Sequence, residues 1–249
     1  MNIFTNLLGA YGGRPIAVMG GAPCLPDDVE RVSSCNPIWI SANEHGAKLQ
    51  PVDYIFAVDF MHQREARLMS DVLAPYETPV ISRWGQYASY MIPAGLPKVE
   101  GNAGLQAIYY AFLMGAWPVI VTGIELYQGG TYYHDERAAS SGHDKTADFW
   151  AQRLDALASV VPETHIRVAS GPLTRYWKQY DPQEHMGEYV EHPIITHMRR
   201  EHQALHVRFK NRMRLPSTRR VHLKGDVAWL PIREAHRLIG TRQVMEITA

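Results

Sequence analysis

The sequence has only two cysteines, Cys24 and Cys35, among its 249 residues. Two are too few for a disulfide scaffold, so a reducing, cytoplasmic setting is the simpler interpretation. Neither sign of charge is in excess, because 25 Lys and Arg balance 25 Asp and Glu. This balance gives no overall attraction to nucleic acid or to an anionic membrane. The share of hydrophobic residues, 46%, is typical of a globular protein.

Long hydrophobic runs are also missing. No apolar stretch approaches the ~20 residues that a membrane-spanning helix needs, and the amino-terminal residues lack the basic region of a signal peptide. The phosphate-binding motif GxxxxGK[ST] is absent. The twelve histidines are scattered and there is no CxxC pair, so no metal site is predicted. The length suits one substantial domain with a small appendage.

Six short apolar runs predict buried strands, and helical segments separate several of them. This order predicts an α/β protein whose Rossmann-like parallel sheet carries flanking helices, within residues 1–192. The predicted strands are residues 15–19, 37–41, 54–58, 79–82, 117–122 and 166–169.

The first predicted strand ends in a glycine turn. Gly20, Gly21 and Ala22 follow it, and Pro26-Asp27-Asp28 opens a helix. Glycines let a ligand approach the backbone, and amides at a helix start favour an anion; a plain turn is the alternative. Asn43 ends the second strand, where its amide either contacts a base or sugar or forms a turn.

The stretch from Gly101 to His143 is where we expect the chemistry. A buried helix over residues 103–114, ended by Gly115, precedes the strand 117–122, and a polar loop follows. In a parallel sheet, ligands bind beyond the carboxyl ends of the strands. This loop is therefore the predicted ligand loop.

The side chains of that loop suit a phosphate. Tyr127 and Tyr133 offer phenols and Thr131 offers a hydroxyl, which bind phosphate by hydrogen bonds without added charge. His143 precedes a predicted helix over residues 147–160. It acts either as a general base or as a surface residue that helps to cap this helix.

The carboxyl-terminal part has its own pattern. Residues 193–215 are interpreted as a basic linker or helix, in which Arg199 to Arg220 form either a solvated face or a contact with a partner, nucleic acid or a membrane surface. Residues 216–249 predict a small α+β module with a β-hairpin around Lys224-Gly225-Asp226 and a helix. The module resembles small terminal modules of bacteriophage head and tail proteins.

Over about residues 16–173 the chain resembles two related families, the sialyltransferase family 42 of glycosyltransferases and the MptE-like 6-hydroxymethylpterin diphosphokinases. The turn G-[NG]-GPSL of these families is matched from Gly20 to Leu25, and their strand ending in Asn is matched at Asn43. The most specific match is a run of small-residue turn, helix, strand and tyrosine loop, written here AG, AFLMGAW, GIELY and QGGTYY, followed by GH.

The resemblance implies a Rossmann-like fold and a cytidine monophosphate sugar donor, with no metal required. By carry-over, Tyr127 and Tyr133 would bind the donor phosphate, Asn43 would contact the donor, and His143 would deprotonate the acceptor hydroxyl. The implied donor-binding residues are Gly20, Gly21, Ala22, Asn43, Ala103, Gly104, Gly123, Glu125, Tyr127, Thr131 and Tyr133.

Two positions depart from the sialyltransferase pattern: Gly21 replaces an Asn, and Ala103 replaces a Ser or Thr. Diphosphokinase relatives would instead transfer pyrophosphate from ATP with magnesium, for which Asp59, Glu125 and Asp135 are available carboxylates. A third hypothesis is a non-catalytic phage-type structural or interaction protein that retains the fold. Each hypothesis leaves a homo-oligomer open.

Overall fold

The computed structural model describes residues 2–57, 71–83, 88–93, 96, 99–126, 131–138, 147–201, 204–215 and 220–246. Its strands are β1 (Asn2–Ile3), β2 (Ile16–Met19), β3 (Ile38–Ala42), β4 (Tyr54–Phe56), β5 (Val80–Ser82), β6 (Tyr90–Met91), β7 (Val119–Thr122), β8 (Thr131–Tyr132), β9 (Asp135–Ala138), β10 (Ile166–Val168), β11 (Ala204–Phe209), β12 (Met213–Leu215), β13 (Arg220–His222), β14 (Val227–Pro231) and β15 (Val244–Glu246). The α-helices are α1 (Leu25–Ser33), α2 (Ala103–Leu113), α3 (Ala147–Ala158), α4 (Pro193–Glu201) and α5 (Ile232–Gly240).

Eight strands form one parallel sheet in the order β1-β6-β5-β4-β3-β2-β7-β10. All six predicted strands lie in it, which confirms the α/β class. Strands β1 and β6 were not predicted from the sequence. Each has only two residues, too few to show a period or a clear apolar run.

Both faces of the central strands are covered by helices. On β2, Ile16 and Val18 join the core cluster that contains most of α2, whereas Ala17 joins the cluster of Val32 on α1. Successive side chains of a strand point to opposite faces. The near-continuous apolar character of these strands is therefore the consequence of a sheet buried on two sides.

Helix α2 has almost every residue buried. Asn102 caps its start, because the side-chain oxygen accepts a hydrogen bond from the Leu105 amide at 3.0 Å. Gly115 follows its end with φ of 94°, as predicted for a glycine in the left-handed conformation after a helix. The apolar sequence on all sides thus reflects a helix enclosed by the sheet and its neighbours.

The carboxyl-terminal strands form a separate antiparallel sheet in the order β14-β11-β15, against which α5 packs. Its own core contains Phe209, Leu215, Ala228, Leu230, Ala235, Leu238 and Val244. An α+β unit is thus present, as predicted from the sequence.

The structure differs from the predicted limits of this unit. Strands β11 and β12 lie within residues 193–215, and the alternation of Leu205, Val207 and Phe209 with polar residues is the strand signal that the high basic content obscured. The predicted hairpin is also wrong in its pairing: β13 pairs with β12, and β14 pairs with β11. Helix α4 instead packs onto the large core through Ile195 and Met198.

In the described part of the chain, no helix combines the length and the apolar character that a membrane crossing requires.

Candidate functional site

The order in which the chain adds strands to the sheet reverses between β2 and β7. From β2 the chain continues through β3 to one side, and it returns on the other side of β2 at β7. Where the connections after two neighbouring strands lead to opposite sides, a crevice forms outside the carboxyl ends of these strands. Ligands bind there in open α/β sheets. The residues that follow β2 and β7 therefore define the candidate site.

The two turns at this point are bonded to each other. The Gly20 amide donates to the Thr122 carbonyl oxygen at 2.8 Å, and the Ala22 amide donates to the Gly123 carbonyl oxygen at 2.9 Å. A Cβ atom on Gly20 would overlap the Gly123 carbonyl group. Gly123 has φ of 58°, a conformation that favours glycine. The glycines are thus needed for the close approach of the two turns.

A buried carboxylate fixes the turn after β7. Asp28, which is 1% exposed in the first turn of α1, accepts a hydrogen bond from the Gly123 amide at 2.9 Å. This role of Asp28 was not predicted from the sequence. An acidic residue in the first turn of a helix is common, and nothing in the local pattern indicates that it reaches another strand.

Three rings cover the glycine turn. The rings of His45 and Tyr132 stack with their centroids 4.2 Å apart, and the His134 ring stacks beside both. His45 Nδ1 and His134 Nε2 are 3.0 Å apart, so one nitrogen donates a hydrogen bond to the other. We call His45, Tyr132 and His134 the ring stack. It was not predicted, because its two histidines are 89 residues apart.

The ring stack explains the glycine at position 21. A Cβ atom on Gly21 would lie 2.6 Å from a ring carbon of Tyr132 and 2.8 Å from one of His45. The sialyltransferase pattern places an Asn here, but in this chain the rings of His45 and Tyr132 fill the space that its side chain would enter. The Nδ1 atom of His45 lies 3.0 Å from the position of that Cβ and is a polar group beside this turn.

The loop that carries His45 is held by Ser41. The buried Ser41 hydroxyl donates to the Asn43 carbonyl oxygen at 2.7 Å and accepts from the Gly46 amide at 2.8 Å. Asn43 itself has φ of 55°, a left-handed conformation that Asn tolerates well. This geometry supports the turn-forming alternative for Asn43, while its contact with a donor stays a prediction.

Tyr133 joins the hairpin of β8 and β9 to the rest of the site. Its amide donates to the Gly21 carbonyl oxygen at 3.0 Å, and its hydroxyl donates to the His45 carbonyl oxygen at 2.8 Å. Burial raises the pKa of Tyr133 to about 12, so the phenol keeps its proton. That proton is directed at the protein, and the predicted contact of Tyr133 with a phosphate would require a rearranged loop that frees this proton.

Cys24 and Glu125 follow the two glycine turns in the sequence. Burial, followed by the nearby Asp28 carboxylate, raises the pKa of the Cys24 thiol to about 12, and Ser170 and Glu125 also contact this thiol. Cys24 is therefore a protonated thiol in a polar cluster beside the crevice. Glu125 follows β7 and lies close to the segment after β10.

The remaining predicted site residues divide into three groups. Ala103 and Gly104 start α2, and a Cβ atom on Gly104 would lie 3.1 Å from the Ile124 side chain, so the helix start adjoins the turn after β7. Tyr127, His143 and Asp59 lie outside the described residues. The side chains of Thr131 and Asp135 are not described, although both lie in the small hairpin.

Within the described ranges, no group of three or more His, Cys, Asp or Glu side chains is arranged to hold a metal ion. Beside the polar cluster of Cys24, the described part of the site contains glycine backbone, imidazoles and phenols. These groups bind a ligand by hydrogen bonds and stacking.

Burial is the main cause of a low pKa at His45, which falls to about 4, and the neighbouring His134 and Lys48 lower it further against the opposing effect of Glu44. A histidine with a lowered pKa is destabilising below its ordinary pKa of ~6.5, because the unfolded chain then binds the proton more tightly. Above pH ~6.5 the neutral ring costs no stability, and the fold loses stability as the pH falls from ~6.5 towards 4.

In a His45→Phe variant, the free energy of unfolding is therefore expected to lose the pH dependence that His45 causes. At pH 5 the wild type should have lost about 2 kcal/mol of unfolding free energy relative to pH 7 through this residue, and the variant should not. Urea denaturation of both proteins at the two pH values measures the difference. A His185→Gln variant, at an exposed position, should behave as wild type. Equal pH dependence in His45→Phe and wild type would contradict the assignment.

The strand order and the crevice define an α/β protein with a switch-point site. Comparison with protein-family models found no match, and comparison with curated proteins found none. Among solved structures, a MAf glycosyltransferase from Magnetospirillum magneticum matches 79% of this chain at 12% identity and a TM-score of 0.46; this chain spans only 40% of that protein's length.

Two further similar structures come from Campylobacter jejuni. The sialyltransferase CstII, in complex with the substrate analogue CMP-3FNeuAc, matches 71% of this chain and 90% of its own length, with 12% identity and a TM-score of 0.45. The monofunctional α-2,3-sialyltransferase Cst-I matches 75% of this chain and 92% of its own length, with 12% identity and a TM-score of 0.42.

Proposed function

We propose that this protein transfers a sugar from a nucleoside-monophosphate donor of the CMP type to an acceptor hydroxyl by direct displacement. The observation that carries the proposal is the meeting of the Gly20-Gly21 turn with the ring stack at the point where the sheet changes direction. A flat base or sugar packs on rings, and a phosphate binds where a helix begins. Helix α1 starts directly after this turn.

Direct displacement has two chemical requirements. The departing nucleoside monophosphate must be stabilised by hydrogen-bond donors, and the attacking hydroxyl must lose a proton. The Gly20 and Ala22 amides already donate to the end of β7 and the turn after it. We therefore assign the first to the start of helix α1, to Tyr127 and to the imidazoles of the ring stack. His45 suits this task because its lowered pKa keeps it neutral near pH 7. We assign proton removal to His143, as the family resemblance implies.

This mechanism needs no metal ion. The leaving group is a phosphate monoester whose charge hydrogen bonds and a helix start can offset. The alternative, transfer of pyrophosphate from ATP, would normally require magnesium held by carboxylates. Calorimetric titration with CMP and with ATP, each with and without magnesium, distinguishes the two. We expect CMP to bind equally well in both conditions.

Activity is tested with a panel of CMP-sugars. Wild type is expected to hydrolyse a suitable donor slowly, and His143→Ala is expected to reduce the rate of transfer to an added acceptor by about 10²- to 10⁴-fold, which is the usual contribution of a general base. Nucleotide binding should persist in this variant, because His143 is assigned to the acceptor side. Coupled detection of released CMP measures the rate.

The control is His185→Ala, since His185 is exposed and lies outside the site. It should retain the wild-type rate. If wild type, His143→Ala and His185→Ala all consume every donor equally slowly, the transferase assignment is wrong. If none of them binds a nucleotide, the crevice has another ligand.

A further inference from the structure

The carboxyl-terminal residues carry a charge that the balanced composition of the whole chain conceals. Residues 204–249 contain ten Lys and Arg but three Asp and Glu, whereas residues 1–203 contain fifteen and twenty-two. The excess of seven positive charges thus belongs to a unit that has its own hydrophobic core. A local excess of this kind attracts a polyanion even when the net charge of the chain is zero.

The basic side chains of this unit point to solvent. Where they are described they are exposed, and none forms an ion pair with another described residue; they are Arg208, Lys210, Arg212, Arg214, Lys224, Arg237 and Arg242. Arg199, just before the unit, is different, because it is bonded to Glu191 and to the Leu8 carbonyl oxygen. The charges of these seven residues are therefore not used in ion pairs within the described part of the chain.

Four of these residues come together at one end of the unit, where three turns meet. The Lys210 amide donates to the Gln243 carbonyl oxygen at 2.8 Å, and the Gly225 amide donates to the Phe209 carbonyl oxygen at 2.8 Å. These bonds bring together the turns that carry Lys210, Arg212, Lys224 and Arg242. We call these four residues the basic end.

The acidic residue at this end does not offset the charge of its neighbours by an ion pair. The Asp226 carboxylate accepts a hydrogen bond from the Leu223 amide at 2.8 Å within its own turn. Around Gly225, which has φ of 93°, no described atom lies within 4 Å of where a Cβ would be. The turn is therefore open to an approaching ligand.

The backbone conformation of Arg242 is a second reason to expect a function at the basic end. Its φ of 58° lies in the left-handed region, where a residue with a side chain is strained and Gly or Asn is favoured. A strained non-glycine residue on the surface is a reason to look for a function. Here the strained residue adds a positive charge beside Lys210.

The chemistry of the basic end selects among anionic partners. Insertion into a membrane needs an exposed apolar face, and a protein interface needs aromatic or aliphatic anchors. Among the large hydrophobic side chains whose exposure the structure describes, only Leu223 in this unit is exposed, at 54%. Binding to a phosphate backbone needs only Lys and Arg. We propose that the basic end binds the phosphate backbone of a nucleic acid, without reading its sequence.

The test uses the full chain and a fluorescently labelled DNA duplex of about 20 base pairs, with anisotropy measured from 50 to 200 mM KCl. Wild type is expected to bind with a Kd in the micromolar range near 100 mM salt. The double variant K210E/R242E should bind at least tenfold more weakly. Its slope of log affinity against log salt should be shallower by about 2, since each phosphate that is no longer neutralised removes roughly 0.9.

The matched control is R175E/R200E, which makes the same change in net charge at two exposed arginines outside the unit. It should alter affinity by less than about threefold. A third variant, Arg242→Gly, relieves the strained conformation and removes one charge. It should keep or raise the melting temperature while weakening DNA binding, which separates binding from folding.

Three results would overturn the proposal. They are no binding of wild type to the duplex at 50 mM KCl, equal weakening by both double variants, and binding to vesicles with 30% phosphatidylglycerol but not to DNA. Nucleotide binding in the crevice should be unchanged in K210E/R242E, so failure here is distinguishable from failure of the proposed transferase activity.

Discussion

Replacement of Gly20 by alanine is expected to lower the free energy of unfolding by about 3 kcal/mol or more, which is the upper range for overpacking. The added Cβ would overlap the Gly123 carbonyl oxygen. A backbone oxygen cannot rotate away as a flexible side chain can, so β2 and β7 would have to separate at their carboxyl ends. This separation would also break the hydrogen bond from the Gly20 amide to Thr122.

Urea denaturation of wild type and Gly20→Ala measures this effect. The matched control is Gly240→Ala at the end of α5, where no described atom lies within 4 Å of the added Cβ and φ is not positive. That control should be neutral or slightly stabilising, since alanine restricts the unfolded chain. A loss below about 1 kcal/mol in Gly20→Ala would mean that the two turns do not approach each other as closely as described.

The same variant bears on function. The crevice lies at the carboxyl ends of β2 and β7, next to these turns, so Gly20→Ala should abolish nucleotide binding as well as lower stability. Ala22→Gly leaves the turn without overlap and should retain binding. Loss of binding in both variants would show that the turn geometry alone does not explain the defect.

The second large effect is expected at Glu184. Its two carboxylate oxygens accept hydrogen bonds from Arg167 at 2.7 and 2.9 Å, and the Arg167 side chain is only 8% exposed. Removing one partner of a buried pair leaves an uncompensated charge, which costs about 3–5 kcal/mol. Glu184→Gln keeps the shape of the side chain, so we expect stability to fall by about 3 kcal/mol at pH 7.

The pair also predicts acid sensitivity. Hydrogen bonds from Arg167 and then from Lys178 lower the pKa of Glu184 to about 2. An acid with a lowered pKa stabilises the fold above its ordinary pKa of ~4.3, and this contribution is lost as the pH falls towards 2. Wild type should therefore lose about 2–3 kcal/mol over this window through Glu184.

Urea denaturation at pH 7, 4 and 2.5 tests both statements. Glu184→Gln should be less stable than wild type at pH 7, and the gap should narrow at pH 2.5. Glu188→Gln, four residues along the chain at an exposed position, should follow wild type throughout. A constant gap at all three pH values would show that the charge of Glu184 is not what stabilises the segment after β10.

Much of the fold could be predicted because burial on both faces leaves a direct record in a sequence. The strands β2, β3 and β7 are short apolar runs, and α2 is apolar on every side, because each is enclosed. The glycine turn and the helix after it also follow from local chemistry. Pairing in the carboxyl-terminal unit could not be predicted, because hydrogen bonds between β11 and β14 depend on contacts that short-range pattern does not encode.

The candidate site also combines features that the sequence predicts with features that depend on tertiary contacts. The sequence by itself determined the α/β class, the glycine turns and their place at strand ends, since these follow from side-chain size and periodicity. Only the tertiary structure decided that His45, Tyr132 and His134 stack over Gly21, and that Asp28 holds the turn at Gly123. The physical reason is sequence distance: these contacts join residues that only the closing of the sheet brings together.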